Sequence, residues 1–434
     1  MEFVFDVKKG RASFRFIMDE DDISRTNELQ FSMNDVEIFV DLGRDFDEDD
    51  LHPDLICLSA ILLCSPFVGS KLEIPFPISE TFFEGANKVI SKYKLDAKTH
   101  GVNPIEKNPD GRPGLAFSGG ADSSAALSVM PADTVPIFLN RPMSRKSQYD
   151  SSAPLAICSE LIESGYEVKI ISSDLEKLRN PIGFPTDLSN AVPAILLSKS
   201  LNLDSIAFGT VMESAFRIGH EKFVDYGNSA HWRFHGSLFE NVGLELSLPI
   251  IGVSEVGTSI IVNNSPLGIV SQSCIRGSLG DPCLKCWKCF RKQLLGYSIG
   301  FIESPEMLEM LNSNEVQTRL SSFPISHENV IIFALQRVDL DSHPYLKPIA
   351  DKLDMSLNLD YLGSWYSESI EFVPDKYRHY IRDKILSHLP PMTPEGEYSM
   401  NSWDMMPHLE SIRAKMAQEK LTSYWQDLAH RFGS

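Results

Sequence analysis

Two short stretches of this chain combine residue types and spacing that suit chemistry. The first is Ser118-Gly119-Gly120-Ala121-Asp122-Ser123-Ser124. It lies between an apolar run, Gly114 to Phe117, and a helix-like segment, Ala121 to Met130. Two glycines let the backbone approach an anion closely and adopt positive φ. A helix start offers unpaired N–H groups and a positive dipole end. The hydroxyls of Ser118, Ser123 and Ser124 can donate to phosphate oxygens. Asp122 suits a phosphate site only if a cation meets it, and Mg2+ bridging carboxylate and phosphate supplies that cation. The loop lacks the Gly-Lys-Ser/Thr ending of the Walker type and is not a Gly-x-Gly-x-x-Gly fingerprint. A capped Gly-Gly turn is the bland alternative; it explains two glycines but not the full pattern between strand and helix.

The second stretch is Cys274-x8-Cys283-x2-Cys286-x2-Cys289, four of the chain's 7 cysteines. Four thiolates in one short loop suit tetrahedral Zn2+, with no open position, so the expected role is structural. Gly277, Gly280 and Pro282 allow the loop to fold back on Cys274. Arg276, Lys285, Lys288, Arg291 and Lys292 are expected to offset the charge of the thiolates. An iron–sulfur cluster is the rival, but no fourth cysteine follows at the ferredoxin spacing; free thiols are a third reading. Cys57, Cys64 and Cys158 are scattered, a usage that fits a reducing compartment better than disulfides.

At the glycine loop the chain resembles the PP-loop, or N-type, ATP pyrophosphatase superfamily, whose signature is Ser-Gly-Gly-x-Asp-Ser. The resemblance implies cleavage of ATP to AMP and pyrophosphate through an acyl-adenylate or adenylated amide. It implies that Ser118, Gly119, Gly120, Ala121, Asp122, Ser123 and Ser124 hold the β,γ-phosphates and Mg2+, with Asp122, Ser118 and Ser123 as catalytic residues. Taken with the cysteine cluster and its closing Cys289-Phe290-Arg291, the region 112–300 resembles the 7-cyano-7-deazaguanine synthase family of queuosine-precursor biosynthesis. That likeness implies a 7-carboxy-7-deazaguanine-like carboxylate, ammonia or an amine as acceptor, and an amide or nitrile product. Paralogues of that family occur in bacterial anti-phage operons, where related chemistry attaches a deazaguanine to another molecule. Two segments depart from the family. The apolar, Pro-containing run Leu248 to Val253 leads to Ser254-Glu255 where the family carries Ser-Lys, and Phe184 to Ser189 replaces a Pro-Gly-Arg-Asn segment.

Further candidates follow the expected strand Ser205 to Thr210. Glu213, Ser214 and Arg217 are placed to touch substrate. The stretch Arg217 to Phe234, with His220, Lys222, Asp225, Tyr226, His231 and Arg233, is dense in groups that bind a planar base or a carboxylate. For any one of these, an ordinary structural role is the competing expectation.

These residues need a scaffold. Between about 114 and 270 the sequence alternates strand-like and helix-like segments: Val135 to Leu139, Ala153 to Ser164, Tyr166 to Ile171, Asn190 to Leu201 and Ser205 to Thr210. The pattern predicts an α/β fold, a parallel sheet with helices on both faces, with ligands outside the carboxyl ends of the strands. The resemblance makes that sheet a PP-loop, Rossmann-like core with a zinc knuckle. The Pro- and Gly-rich stretch Asn103 to Pro113 marks a boundary. It sets off an α+β N-terminal extension, 1–105, with strands at Phe3 to Val7, Ala12 to Ile17 and Val36 to Val40, and helices near 51–64 and 81–94. After the core, 112–300, a helical C-terminal extension, 301–434, is expected, with helices at Glu303 to Leu311, Asn329 to Gln336, Asp375 to Leu389 and Ser411 to His430. Both extensions are candidate protein-docking surfaces.

A formal charge of −19 over 434 residues disfavours broad contact with nucleic acid. The longest apolar stretch, Leu55 to Val68, is broken by Ser59, Ser65 and Pro66 and reads as a buried helix rather than a span of roughly 18 apolar residues. With no signal-peptide pattern at the N-terminus, a cytoplasmic location is the expectation. Two other functions compete with a carboxylate-adenylating ligase: a PP-loop tRNA-modifying enzyme, and a non-catalytic nucleotide-binding subunit of a complex.

Overall fold

The computed structural model describes residues 1–142, 149–303 and 305–432. At its centre is a five-stranded sheet of Arg112–Phe117, Val135–Asn140, Lys169–Ser172, Leu203–Ala207 and Glu245–Ser247, all parallel to their neighbours. The first three strands run outward in one direction and the last two lie on the other side of the first. Arg112–Phe117 and Leu203–Ala207 are therefore adjacent where the winding reverses, the crevice in which open α/β sheets hold ligands. The strands are nearly continuous apolar runs, as a sheet covered on both faces requires.

Alternation along the strands divides the core. Leu115, Phe117 and Phe138 pack with Ala125, Ile157, Ile261 and Ile381 from helices Ala121–Val129, Ser152–Glu163, Glu255–Asn263 and Asp375–Leu386. Ala116, Ile137 and Ile206 belong to the cluster on the other face. There, the short helix Val192–Leu196 lies on the sheet and is itself covered by Pro53–Cys64. Every residue of that N-terminal helix from Asp54 to Cys64 is buried, which explains its apolar character all round.

The N-terminal residues form a second five-stranded sheet in the order Ile38–Asp41, Arg11–Ile17, Glu2–Lys8, Lys71–Glu73, Lys94–Asp96. Its edge is tied to the central unit. Phe39 N donates to Asp174 Oδ1 at 2.8 Å, and Ser32–Met33 pairs antiparallel with Arg179–Asn180.

The strand expectations within the central sheet hold within a few residues. The apolar run Leu248 to Val253 does not continue the sheet as a strand. It turns away from the sheet after Ser247, and the C-terminal region supplies its partners: Leu248 N donates to Phe372 O at 2.9 Å and Tyr366 N to Gly252 O at 3.0 Å. The expected helix Glu303 to Leu311 shrinks, among the described residues, to Met307–Met310. No helix among the described residues is long and apolar enough to cross a membrane.

The C-terminal helix Asp375–Leu386 docks through a buried carboxylate. Lys376 Nζ and Tyr377 Oη both donate to Asp204 Oδ2, at 2.8 and 2.5 Å, and Asp204 is 9% exposed. Tyr377→Phe removes one of these charge-assisted bonds. It is expected to lower stability by about 1–3 kcal/mol, read as a fall in the thermal midpoint by circular dichroism.

Candidate functional site

The glycine loop lies at the carboxyl end of Arg112–Phe117 and opens the helix Ala121–Val129. Gly119 has φ +72, and a Cβ there would stand 2.8 Å from Pro154 Cβ, so glycine is required on both counts. Gly120 is the N-cap and makes no side-chain cap bond, which leaves the first turn uncapped by its own residue. Ser118 Oγ and Ser123 Oγ are 3.0 Å apart beside it, and Ser123 Oγ donates to Gly120 O at 3.1 Å. Ser124 is buried and receives Ser271 Oγ at 3.4 Å. Ala121 N donates to Ser273 Oγ at 3.4 Å, joining the loop to the segment that leads into the cysteine cluster.

Across the crevice, the chain leaves Leu203–Ala207 through Phe208-Gly209-Thr210. A Cβ at Gly209 would lie 2.9 Å from both Asp122 C and Ser123 N. A glycine there lets the second strand end press on the helix start. A cavity of about 740 Å3 opens beside this contact, with Ser118, Asp122, Ser123, Thr210, Ser214 and Arg217 in its wall. Tyr226 and His231 from the polar–aromatic stretch also line it, joined by a Tyr226 Oη–His231 Nδ1 bond of 2.9 Å. Burial pushes the Tyr226 hydroxyl up and the His231 imidazole down, so both are neutral at pH 7. His220 and Arg233 lie outside that cavity.

Asp122 is held from outside the loop. Thr258 Oγ1 donates to Asp122 Oδ1 at 3.0 Å, leaving the other oxygen available. Thr258 sits one turn into the helix Glu255–Asn263, and the first turn of that helix is a buried ionic centre. Glu255, 2% exposed, accepts from Arg291 Nη2 at 3.1 Å and pairs with Lys292 Nζ at 3.0 Å and His327 Nδ1 at 3.4 Å. Burial alone would raise its carboxyl, but the charges of Arg291 and then Lys292 outweigh that and hold it well below the usual carboxylate range, while burial and Arg291 push the neighbouring His327 imidazole down to about 4 and leave it neutral at pH 7.

This accounts for the acid found where a lysine was expected. Glu255 lines neither neighbouring cavity, and its charge is taken up internally. It also corrects the expectation for Arg291 and Lys292, whose cationic groups turn to Glu255 rather than serving only the thiolates. Arg276 does stay with the knuckle, paired to Glu315, which also accepts from Trp287 N at 3.1 Å.

Glu213 does not reach the cavity that Ser214 and Arg217 line. It is fully buried behind the wall, where Glu255 N donates to both its oxygens at 3.1 Å and Asn329 Nδ2 to Oε1 at 2.9 Å. Burial first, then the neighbouring Glu255, pushes its carboxyl up to about 7. Asn329 Oδ1 has no partner, and turning the amide over would let a protonated Glu213 donate to it.

The four cysteines converge as their spacing predicted: their sulfurs all lie within 4.8 Å of one another. Cys286 and Cys289 Sγ are 3.5 Å apart, Cys283 and Cys289 Sγ 3.9 Å. A tetrahedron with metal–sulfur bonds of about 2.3 Å has edges near 3.8 Å, so the donor set fits a metal ion such as zinc. Cys286 caps the helix Trp287–Ser298, accepting from Cys289 N at 3.4 Å, and Cys274 accepts from Cys283 N at 3.4 Å. Gly280 has φ +72, and a Cβ at Gly277 would lie 2.2 Å from Asp281 O, so the fold-back uses both glycines. Gln272 staples the loop: its Nε2 donates to the carbonyls of Cys274, Gly277 and Ser278, and its Oε1 accepts from Gly280 N at 3.1 Å. A second cavity of about 300 Å3 separates this knuckle from Ala121 and includes Ser273, Lys288 and Lys292.

Thr258, His327 and Asn329 could not be assigned from local sequence, because each acts on a partner remote in the chain. Gly209 had a local signal: a glycine directly after an apolar strand.

Comparison with known proteins adds one match. The model of a family described as "Family of unknown function (DUF6395)" matches residues 234–404. That segment is less than half of the chain. It includes the cysteine cluster, Glu255, Arg291, His327 and Asn329, but not the glycine loop. No curated protein and no solved structure matches.

Two outcomes are expected. Elemental analysis of protein purified without chelator should find about one metal ion per chain, and Cys286→Ser should lose it together with several degrees of thermal stability. For Glu213, the folded state keeps its proton up to about 7, whereas an unfolded glutamate titrates near 4.3. That contribution is full below about pH 4 and is lost as pH rises through 7, a difference of roughly 2–4 kcal/mol. Glu213→Gln should therefore flatten the decline in stability between pH 5 and 8, measured by denaturant unfolding; an identical decline in the variant would contradict the assignment.

Proposed function

We propose that this protein is an ATP-dependent ligase that activates a carboxylate as its adenylate and passes the acyl group to ammonia or an amine. The observation that carries the proposal is the glycine loop at the winding reversal of the parallel sheet, with an open cavity beside Ser118, Asp122 and Ser123. The loop amides, the Ser118 and Ser123 hydroxyls and the helix dipole would grip the β,γ-phosphates. Asp122, fixed by Thr258 through one oxygen, would present the other to Mg2+, which when bound offsets charge on the leaving pyrophosphate.

The substrate carboxylate oxygen attacks the α-phosphorus, the bond to the bridging oxygen of the β-phosphate breaks, and pyrophosphate leaves. The acceptor nitrogen then attacks the acyl carbon, the carbon–oxygen bond to AMP breaks, and the nitrogen sheds a proton to water. No side-chain nucleophile is needed. The neutral Tyr226–His231 pair suits an uncharged planar ring, and the likeness to 7-cyano-7-deazaguanine synthases makes a 7-carboxy-7-deazaguanine the first carboxylate to test. The four cysteines are assigned to Zn2+ in a closed, structural role that fastens the helix of Arg291 and Lys292 to the loop. The resemblance to anti-phage paralogues extends this reading to transfer of the acyl group onto another molecule.

The test is incubation with ATP, Mg2+, 7-carboxy-7-deazaguanine and ammonia, with mass spectrometry of the products. AMP together with an amide or nitrile is the expected result. Asp122→Ala should cut AMP release by about 100-fold or more. A wild-type protein that releases no AMP with any carboxylate, or a variant as fast as wild type, would refute the proposal.

A further inference from the structure

Two arginines line the large cavity, and they are not equivalent. Arg217 pairs with Glu221 at 3.4 Å. Arg179 pairs with no carboxylate among the described residues. Its Nη1 donates to Phe184 O at 3.2 Å, and its Nε is buried with no hydrogen-bond partner. The guanidinium lies over the Phe31 ring, 4.5 Å from its centroid. The backbone of Arg179–Asn180 is paired with Ser32–Met33. A partly buried cation with unmet donors is costly unless an anion completes it.

The N-terminal unit thus holds this arginine through its paired backbone and through the ring beneath its guanidinium. A planar guanidinium so fixed matches a carboxylate through two parallel bonds. The flat side chains of Phe184, Phe208 and Tyr226 share the cavity. They suit a ring-bearing acid better than an aliphatic one.

We propose that Arg179 is the residue that recognises the carboxylate of a planar heteroaromatic acid, and that the N-terminal unit sets this specificity by delivering it into the cavity. The inference rests on the reading of that cavity as an adenylation site. A nucleotide phosphate offers a guanidinium the same chemistry, so the experiment separates the two.

Binding of three probes to the full-length protein is measured by calorimetry: 7-carboxy-7-deazaguanine, its uncharged carboxamide, and ATP with Mg2+. Wild type is expected to prefer the carboxylate to the carboxamide. Arg179→Gln should weaken carboxylate binding at least tenfold, abolish the preference, and leave ATP affinity within twofold. Arg179→Lys should restore only part of it, because an ammonium lacks the fork. Phe31→Leu, which keeps the charge but removes the ring, should weaken carboxylate binding by about threefold, with folding of each variant checked by its thermal transition. Unchanged carboxylate binding in Arg179→Gln, or a loss confined to ATP, would overturn the assignment. So would a wild type that binds the carboxylate no better than the carboxamide. If such a wild type still formed AMP with another acid, the adenylation reading would stand and only the role of Arg179 would fall.

Discussion

Glu255 is an ionised carboxylate taken almost wholly out of water, an arrangement that persists only when its partners are all in place. Those partners come from distant parts of the chain. Arg291 and Lys292 arrive on the helix that the cysteine cluster begins, and His327 arrives from the C-terminal region. The Glu255 backbone N–H is spent on Glu213, which follows the fourth central strand, and Asn329 closes the far side of that carboxylate. One turn along the same helix, Thr258 reaches Asp122 in the glycine loop. The first turn of Glu255–Asn263 is therefore where sheet, knuckle and C-terminal region meet, and the loop acid takes its orientation from it.

This arrangement gives the cysteine cluster a purpose beyond local stability. Its helix carries the two cations that make a buried Glu255 tolerable, and its leading segment reaches the loop through Ser271 and Ser273. Four closely packed sulfurs repel one another unless a cation gathers them, so the geometry of the knuckle and that of the loop are linked through charge. The family match begins after the glycine loop and runs through this knuckle into the C-terminal region, spanning the residues that build the ionic centre.

The terminal regions are less detached than their composition suggests. Asp204, on a central strand, is satisfied by Lys376 and Tyr377. The apolar helix Pro53–Cys64 completes one face of the sheet's covering layer. The strand pair between Ser32–Met33 and Arg179–Asn180 reaches the rim of the large cavity.

Sequence alone determined the elements whose physics is local. Alternating apolar strands and helices specified a parallel sheet, because strands covered on both faces must be apolar throughout. Ser118 to Ser124 specified a loop with a left-handed glycine at a helix start, and Cys-x2-Cys-x2-Cys brought three sulfurs together because near neighbours in a chain need little help to meet. The apolar run Leu248 to Val253 left its secondary structure open, because apolar character records burial, not hydrogen-bonding pattern, and here the C-terminal region supplies partners for both. Only the tertiary structure decided that Glu255 is an internal counterion, that Glu213 lies behind the cavity wall, and that Arg179 faces the cavity without a paired acid. Those outcomes depend on which charges meet after the chain has wound, and one buried charge is settled by two cations that lie 36 and 37 residues away in the sequence.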